Sequence, residues 1–527
     1  MIAADIFSKN DLEQIKQHGL SLDVVLRQLE QFNSPPPYQR LVRPCTLGDG
    51  IQKIEAEKAK KYTDLFAQEV AKGRFLKFVP ASGAATRMFR ALQKYYNKGE
   101  EVSPKTLSEK AMEGDKDWGE FLQFIEGLRN FAFYHRLFQI MKAKGLDIER
   151  LYEQGRYRDI VHYVLSPEGL GYGNTPKALV LFHRYGSRAR TAFEEHLVEA
   201  ANYVKDSSGR AIIHFTVAEE HLEKFHSFLK KVGPEYEKQF LVKYDVTFSL
   251  QKKSTDTIAV DMDGRPFRLA DGKLLFRPGG HGALIENLND LRGDLIFIKN
   301  IDNVTPDHLK PETYRWKRIL GGLLVDLQNR VHGYVKMLHQ GPLSAEKDNE
   351  LKAFLEDVVC MNLPDGFEQY TVEQRAEFYL SALNRPIRVC GMVRNVGEPG
   401  GGPFWVRGKD GQVTRQIVEI AQIDPDSKEQ QAILKASTHF NPVDLVCAVR
   451  DWHGSPFDLR EFVDTDAVFI SKKSKDGRDL MALELPGLWN GAMAKWITFF
   501  VEVPLITFNP VKTVNALLRK EHQPLRT

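Results

Sequence analysis

The stretch FLKFVPASGAATRMFRAL, residues 75–92, decides how the rest of the chain is read. An apolar run, FLKFVP, reads as a buried strand, and MFRAL opens an amphipathic helical pattern. Between them stand Ser82, Gly83, Ala84, Ala85 and Thr86, followed at once by Arg87. Small side chains let backbone N–H groups approach a phosphate, and a following helix N-terminus adds partial positive charge. Arg87 offers a planar, permanently charged donor fork suited to phosphoryl oxygens. The stretch holds neither a G-x-x-x-x-G-K-[ST] loop nor a G-x-G-x-x-G fingerprint, and a tight strand–helix turn would use the same small residues.

Working outward, strands and helices alternate. Residues 211–217 (AIIHFTV), 244–251 (YDVTFSLQ) and 294–304 (DLIFIKNIDNV) read as strands, as does KALVLFH at 177–183, with helical patterns between them. This alternation predicts an α/β fold: a mostly parallel sheet covered by helices. Four segments are expected. Residues 1–73 form a helical segment with a proline-rich connector, and 74–305 an α/β core carrying a helical insertion at about 92–170. Residues 306–383 are helical, and 384–527 are strand-rich and complete the core.

Lys and Arg total 73 against 70 for Asp and Glu, a balance that argues against nucleic acid or an anionic membrane as main partner. The four cysteines have no metal-ligand spacing, which fits a reducing, cytoplasmic setting. The apolar stretch WITFFVEVPLITF contains Glu502 and Pro504 and is too short to span a bilayer.

ASGAATRM resembles the L-x-G-G-x-G-T-R-[LM] loop of sugar-nucleotide pyrophosphorylases. Gly83, Thr86 and Arg87 match, while Ser82 and Ala85 stand where the family has glycine. A left-handed backbone at Ala85 would be strained. Further segments follow in the family's order. NTPKALVLFHRYG resembles the P-K-x-L-x-P segment, with Lys177 as its lysine. The run from TFSLQ to RPGGHGAL resembles the part of UDP-sugar and UDP-N-acetylglucosamine pyrophosphorylases that meets the nucleoside, with Gln251, Gly279, Gly280 and Gly282 matching and His281 in place of an asparagine. DLIFIKNIDNV resembles the strand ending in Asp-Asn, VEIAQI the V-E-Y-S-E segment through Glu419, and ITFNPVKTVNALL the F-[SA]-P-[VL]-K-N motif through Lys512. THFNPVDLVCAV stands where sugar or metal contacts fall in the family, making Asn441 and Asp444 candidates. The chain as a whole also resembles a bacterial family of unknown function.

The resemblance implies a glycosyltransferase-A-type, Rossmann-like nucleotidyltransferase fold: a mixed sheet with helices on both faces. It implies UTP and a sugar 1-phosphate as substrates, with Mg²⁺. Arg87, Lys177 and Lys512 would hold phosphates, Asp302 and Asp444 would bind metal, and Glu419 and Asn441 would contact the sugar. A carboxylate at the C-terminal end of a buried strand is where α/β folds collect ligand chemistry, and an Asx turn would use Asp302 equally well. Two other classes remain open. One is a binding protein of the same fold without turnover, and the other a glycosyltransferase using the DMD at 261–263 as its metal motif.

Overall fold

The computed structural model describes residues 6–99, 102–397, 400–440 and 444–525. Asn441 lies outside the described residues.

FLKFVP is strand Phe75–Pro80, and all but its last residue are buried. Burial on both faces is what an interior strand with helices above and below requires. Phe75 and Val79 pack into the larger core cluster, Leu76 and Phe78 into a second one on the opposite face. Lys77 faces the same side as Phe75 and Val79, as the two-residue period dictates.

Among the described residues the central sheet has nine strands. In chain order they are β1 (Thr46–Leu47), β2 (Gly50–Gln52), β3 (Phe75–Pro80), β4 (Arg210–Val217), β5 (Lys243–Leu250), β6 (Leu295–Ile298), β7 (Ile387–Met392), β8 (Asp444–Ala448) and β9 (Ile497–Glu502). Across the sheet the order is β1-β2-β9-β7-β8-β6-β3-β4-β5. β8 runs antiparallel to both of its neighbours, and the other pairings are parallel. The sheet is therefore mixed. After β3 the chain moves toward β4, whereas after β6 it moves to the far side, toward β7. The C-terminal ends of the adjacent strands β3 and β6 thus flank a point where the strand order reverses, which opens a crevice between the loops that follow them.

One face is covered by helices α1 (Ala56–Ala71), α2 (Ala192–Tyr203) and α3 (Lys310–Gln340). α3 is 31 residues long and crosses α1 closely. A Cβ added to Gly322 would lie 1.7 Å from the Tyr62 carbonyl oxygen, so only glycine allows this approach. α3 therefore forms part of the central core, and the chain segments interleave: 46–52 and 387–502 contribute edge and interior strands to the sheet that 75–298 begins.

Smaller units surround this core. Among the described residues, six α-helices occupy positions 90–165. Strands Leu41–Pro44, Gly402–Arg407 and Val413–Val418 form a three-stranded sheet. Helices Lys9–Gln17 and Leu22–Asn33 pack on a separate four-stranded sheet, where Ile15, Val25 and Leu29 meet Ile258, Val260 and Leu274.

Two sequence expectations are corrected. KALVLFH does not join the central sheet: Lys177–Leu179 is a 3₁₀ turn, and Leu181–Tyr185 pairs with Arg188–Thr191 as a hairpin. The helical pattern after Thr86 begins with a 3₁₀ turn, Ala85–Arg87, and the α-helix starts only at Arg90. Among the described residues no helix is long and apolar enough to cross a membrane.

Candidate active site at the C-terminal ends of the strands

The loop after β3 leaves the sheet gradually. Ala81 N–H still donates to Thr216 O of β4 at 2.9 Å. Ser82 is half-buried, and Gly83, Ala84, Thr86 and Arg87 are exposed. Ala85 is fully buried, and its backbone is not left-handed; the non-glycine residues with positive φ are Leu241, Arg292, Cys360 and Asp476 among the described residues. Alanine therefore fits this position without backbone strain. The space a Cβ on Gly83 would enter is open.

A second segment zips onto the loop. Ala85 N–H donates to Thr175 O at 3.1 Å, and Lys177 N–H donates to Gly83 O at 3.2 Å. This pairing carries Lys177 across from its own hairpin to the crevice. There its Nζ donates to Asp302 Oδ2 at 2.8 Å and to Val511 O at 2.9 Å. Both side chains of the pair are less than one-fifth exposed, at 16% and 19%.

Asp302 lies in the turn after β6, and a third segment closes on it. Val511 N–H donates to Asp302 O at 3.2 Å, and Asn303 Oδ1 accepts from Asn509 N–H at 2.9 Å. Lys512, next in sequence, is exposed, with its Nζ 5.5 Å from the centre of the Phe440 ring. Two residues later Val514 N–H donates to Met88 O at 3.0 Å, beside Arg87. Backbone pairing thus brings Arg87, Lys177, Asp302 and Lys512 to one end of the sheet from segments hundreds of residues apart. Three of the four are cations, and Asp302 is neutralised by one of them.

The base of the crevice is a buried charge network. Glu199 of α2 accepts from Lys77 Nζ of β3 at 2.7 Å and from Lys299 Nζ, just past β6, at 2.9 Å. One carboxylate therefore ties together the two strands that flank the crevice. Burial lowers the Lys77 ammonium to about 7 against the opposing pull of Glu199, while Glu199 is held well below the usual carboxylate range by Lys299 and Lys77 despite its burial. The loop after β6 is anchored from below. His196 Nε2–H donates to Ile301 O at 3.1 Å, and Lys310 Nζ donates to Thr305 O at 2.5 Å and to Glu195 at 2.6 Å. Nothing in the apolar reading of FLKFVP pointed to these partners. A lysine inside a buried strand was the available signal, because a fully buried ammonium requires a counter-charge.

Other candidate residues have different surroundings. Gln251 follows β5 at the same end of the sheet, and its buried Nε2 has no hydrogen-bond partner. Two further unpaired polar atoms occur at this end: Thr216 Oγ1 of β4, and Oδ1 of Asn287, whose Nδ2 donates to Leu250 O at 2.8 Å. Thr216 and Asn287 escaped the sequence reading because they sit within apolar patterns.

The glycine segment after residue 278 is packed against protein. A Cβ on Gly279 would lie 2.5 Å from Thr255 O, and one on Gly282 would lie 2.2 Å from Pro486 O. Gly280 turns the chain at φ +78. His281 stacks on Trp489 at 4.7 Å and accepts from Leu488 N–H, and burial lowers it to about 4. These contacts account for the residue types with no ligand present.

Glu419 caps the 3₁₀ turn Ile420–Gln422 at the end of the three-stranded sheet. Gly401 lies against its backbone, and Gly400 against the Phe440 ring that Lys512 overlies, so these two glycines border the crevice. Asp444 is directed elsewhere. It is buried and ion-paired at 2.6 Å with Lys317 of α3, so it is not available beside Asp302 as a second metal ligand. Among the described residues no three His, Cys, Asp or Glu side chains are grouped to hold a metal. Asp302 alone suits Mg²⁺, which is commonly held by one or two carboxylates together with substrate phosphates. Asp261 accepts the backbone N–H groups of Asp263 and Arg265 in an Asx turn that follows a strand of the four-stranded sheet, not of the central one.

A family model described as Domain of unknown function (DUF4301) matches residues 8–523. Among curated proteins none matches the sequence. Solved structures similar to this chain include a UDP-glucose pyrophosphorylase variant from Leishmania major in complex with UDP-glucose, at 13% identity and TM-score 0.43, covering 98% of this chain and 78% of that one. A uridine diphosphate N-acetylglucosamine pyrophosphorylase from Trypanosoma brucei in complex with inhibitor is similar at 13% identity and TM-score 0.45, covering 97% and 79%.

Proposed function

The chain belongs to the DUF4301 family, and we propose that it is a nucleotidyltransferase that transfers a uridylyl group from UTP to a sugar 1-phosphate. The observation that carries this reading is the backbone pairing that brings Arg87, Lys177 and Lys512 to the end of the sheet that holds Asp302, with Lys177 as its ion-pair partner. A phosphate oxygen of the sugar 1-phosphate attacks the α-phosphorus of UTP, the bond from that phosphorus to the β-phosphate oxygen breaks, and pyrophosphate leaves. The nucleophile is already anionic, so no strong base is needed and the protein supplies position and positive charge. Exposed Gly83 and Ala84 leave backbone N–H groups accessible to phosphate. Arg87 would hold the departing pyrophosphate, and Lys512 the incoming phosphate.

Lys177 has a double role in this scheme. It holds Asp302 in place until substrate arrives, then exchanges that contact for a phosphate oxygen. The released carboxylate would hold Mg²⁺, which supplies charge neutralisation to the triphosphate when bound. The unpaired amide of Gln251 supports recognition of a pyrimidine carbonyl. The sugar would lie toward Glu419. A binding protein without turnover is the alternative that the altered loop at Ser82 and Ala85 suggests; of the two positions, Ala85 carries no left-handed backbone strain.

The test is pyrophosphate release from Mg–UTP with a panel of sugar 1-phosphates. At least one pair is expected to turn over, with a loss of about 100-fold or more in Lys177→Ala. Retained UTP binding with no pyrophosphate from any pair would reject catalysis.

A further inference from the structure

At the opposite end of the sheet, where the parallel strands begin, two arginines line a small cleft and a third, Arg388, bonds to the lining residue Thr498. Arg388, the second residue of β7, is fully buried. Its Nε donates to Thr498 Oγ1 of β9 at 2.8 Å and its Nη1 to Trp489 O at 2.6 Å, while Nη2 has no partner. Arg415, on strand Val413–Val418, is 5% exposed, donates to Val359 O at 2.7 Å and lies 5.1 Å from the Phe499 ring. Arg385 is half-buried and donates to the Ser381 carbonyl. Arg385, Arg415, Thr498, Trp496 and Cys360 line a cleft of about 50 Å³. Trp496 is 5% exposed, and its Nε1–H also lacks a partner.

None of the cleft's lining residues is acidic, and among the described residues none of these arginines forms an ion pair. Arginine stays protonated in proteins, and burying a cation without a counter-charge costs several kcal/mol. The nearby thiols offer no compensation. Cys45, Cys390 and Cys447 are fully buried, which raises them and keeps them neutral. Among the lining residues Trp496 Nε1–H is an unpaired donor, and the space exceeds the roughly 30 Å³ share of one water molecule.

We propose that this cleft is a binding site for a small tetrahedral oxyanion, inorganic phosphate or the phosphoryl group of a small phosphomonoester, held by Arg385, Arg415 and Trp496 Nε1–H. Arg388 braces Thr498 from behind. The site is distinct from the crevice: Arg388 and Thr498 stand at the N-terminal ends of β7 and β9, while the crevice lies past the C-terminal ends of β3 and β6. Guanidinium forks match tetrahedral oxyanions with paired hydrogen bonds, which a lone water could not reciprocate.

Cys360 gives a direct readout, because it lines the cleft and is the one partly exposed cysteine of the four. The full-length protein is treated with a thiol reagent in the presence of sodium phosphate, glycerol phosphate or sodium chloride at matched ionic strength. Phosphate in the millimolar range is expected to slow Cys360 modification by about fivefold or more, and chloride to leave it unchanged. Protection should persist in Lys177→Ala, whose crevice is impaired, and vanish in Arg415→Gln and in the less buried Arg385→Gln. Protection by glycerol phosphate as well would identify a phosphomonoester site; protection by phosphate alone, an inorganic phosphate site. The proposal is overturned if phosphate gives no protection, if protection survives in folded Arg385→Gln, or if it disappears in Lys177→Ala.

Discussion

Ala85 is the residue at which sequence and structure differ most usefully. Its place in a loop that resembles a glycine-rich phosphate loop suggests strain, yet its backbone lies in an ordinary region and its methyl group is buried. Ala85→Gly is therefore expected to lower stability by about 1 kcal/mol, through added freedom of the unfolded chain and a lost buried methyl, without raising UTP affinity. Thermal unfolding together with UTP titration checks this, and a gain in affinity would show that the loop needs a glycine. Arg87, Lys177, Asp302 and Lys512 were legible in the sequence as charged residues beside strand ends or turns. What brings them together was not, since it depends on backbone pairing such as Val511 with Asp302 and Val514 with Met88. Asp444 shows the converse. The family resemblance made it a metal candidate, and Lys317, over a hundred residues away in sequence, is its ion-pair partner.

At the scale of elements, strands β3, β4 and β6 were readable as short, mostly apolar runs bounded by polar or turn residues, and β5 by its mixed apolar and polar strand-forming residues. The run at 177–183 was misread as a strand of the same sheet. Its composition fits a strand, but Lys177 is drawn into the crevice and the chain turns before pairing locally at Leu181–Tyr185. The long helix α3 was legible as helical, whereas its role as a wall of the central core rests on close approach at Gly322. In Gly322→Ala the new methyl would overlap the Tyr62 carbonyl, so α1 and α3 must separate. The expected cost is about 3 kcal/mol, read as a lower midpoint in denaturant unfolding. An unchanged midpoint would mean that the two helices do not cross as described.

At the scale of the whole molecule, the sheet carries opposite features at its two ends and a charged network through its middle. Lys77, Lys299 and Glu199 join β3, β6 and α2, and Lys77 is the member whose titration falls near neutral pH. Its ammonium is lowered from 10.5 to about 7 in the folded state. Between those values the unfolded chain binds a proton that the folded chain has released, so this group makes stability rise with pH there, by at most about 1.4 kcal/mol per pH unit. Below about pH 7 both states are charged and its contribution is flat. Lys77→Met should remove that slope between pH 7 and 10, as measured by denaturant unfolding at a series of pH values; identical slopes in both proteins would contradict the network. The function proposed above has Arg87, Lys177 and Lys512, at the end of the sheet that holds Asp302, bind a nucleoside triphosphate. The most direct test is calorimetric titration of Mg–UTP into the wild-type chain, Arg87→Ala and Lys512→Ala. The account predicts measurable binding that weakens about tenfold or more in each variant, the loss of a charge-assisted hydrogen bond. Wild-type affinity in both variants, or no binding to the unmodified chain, would contradict it.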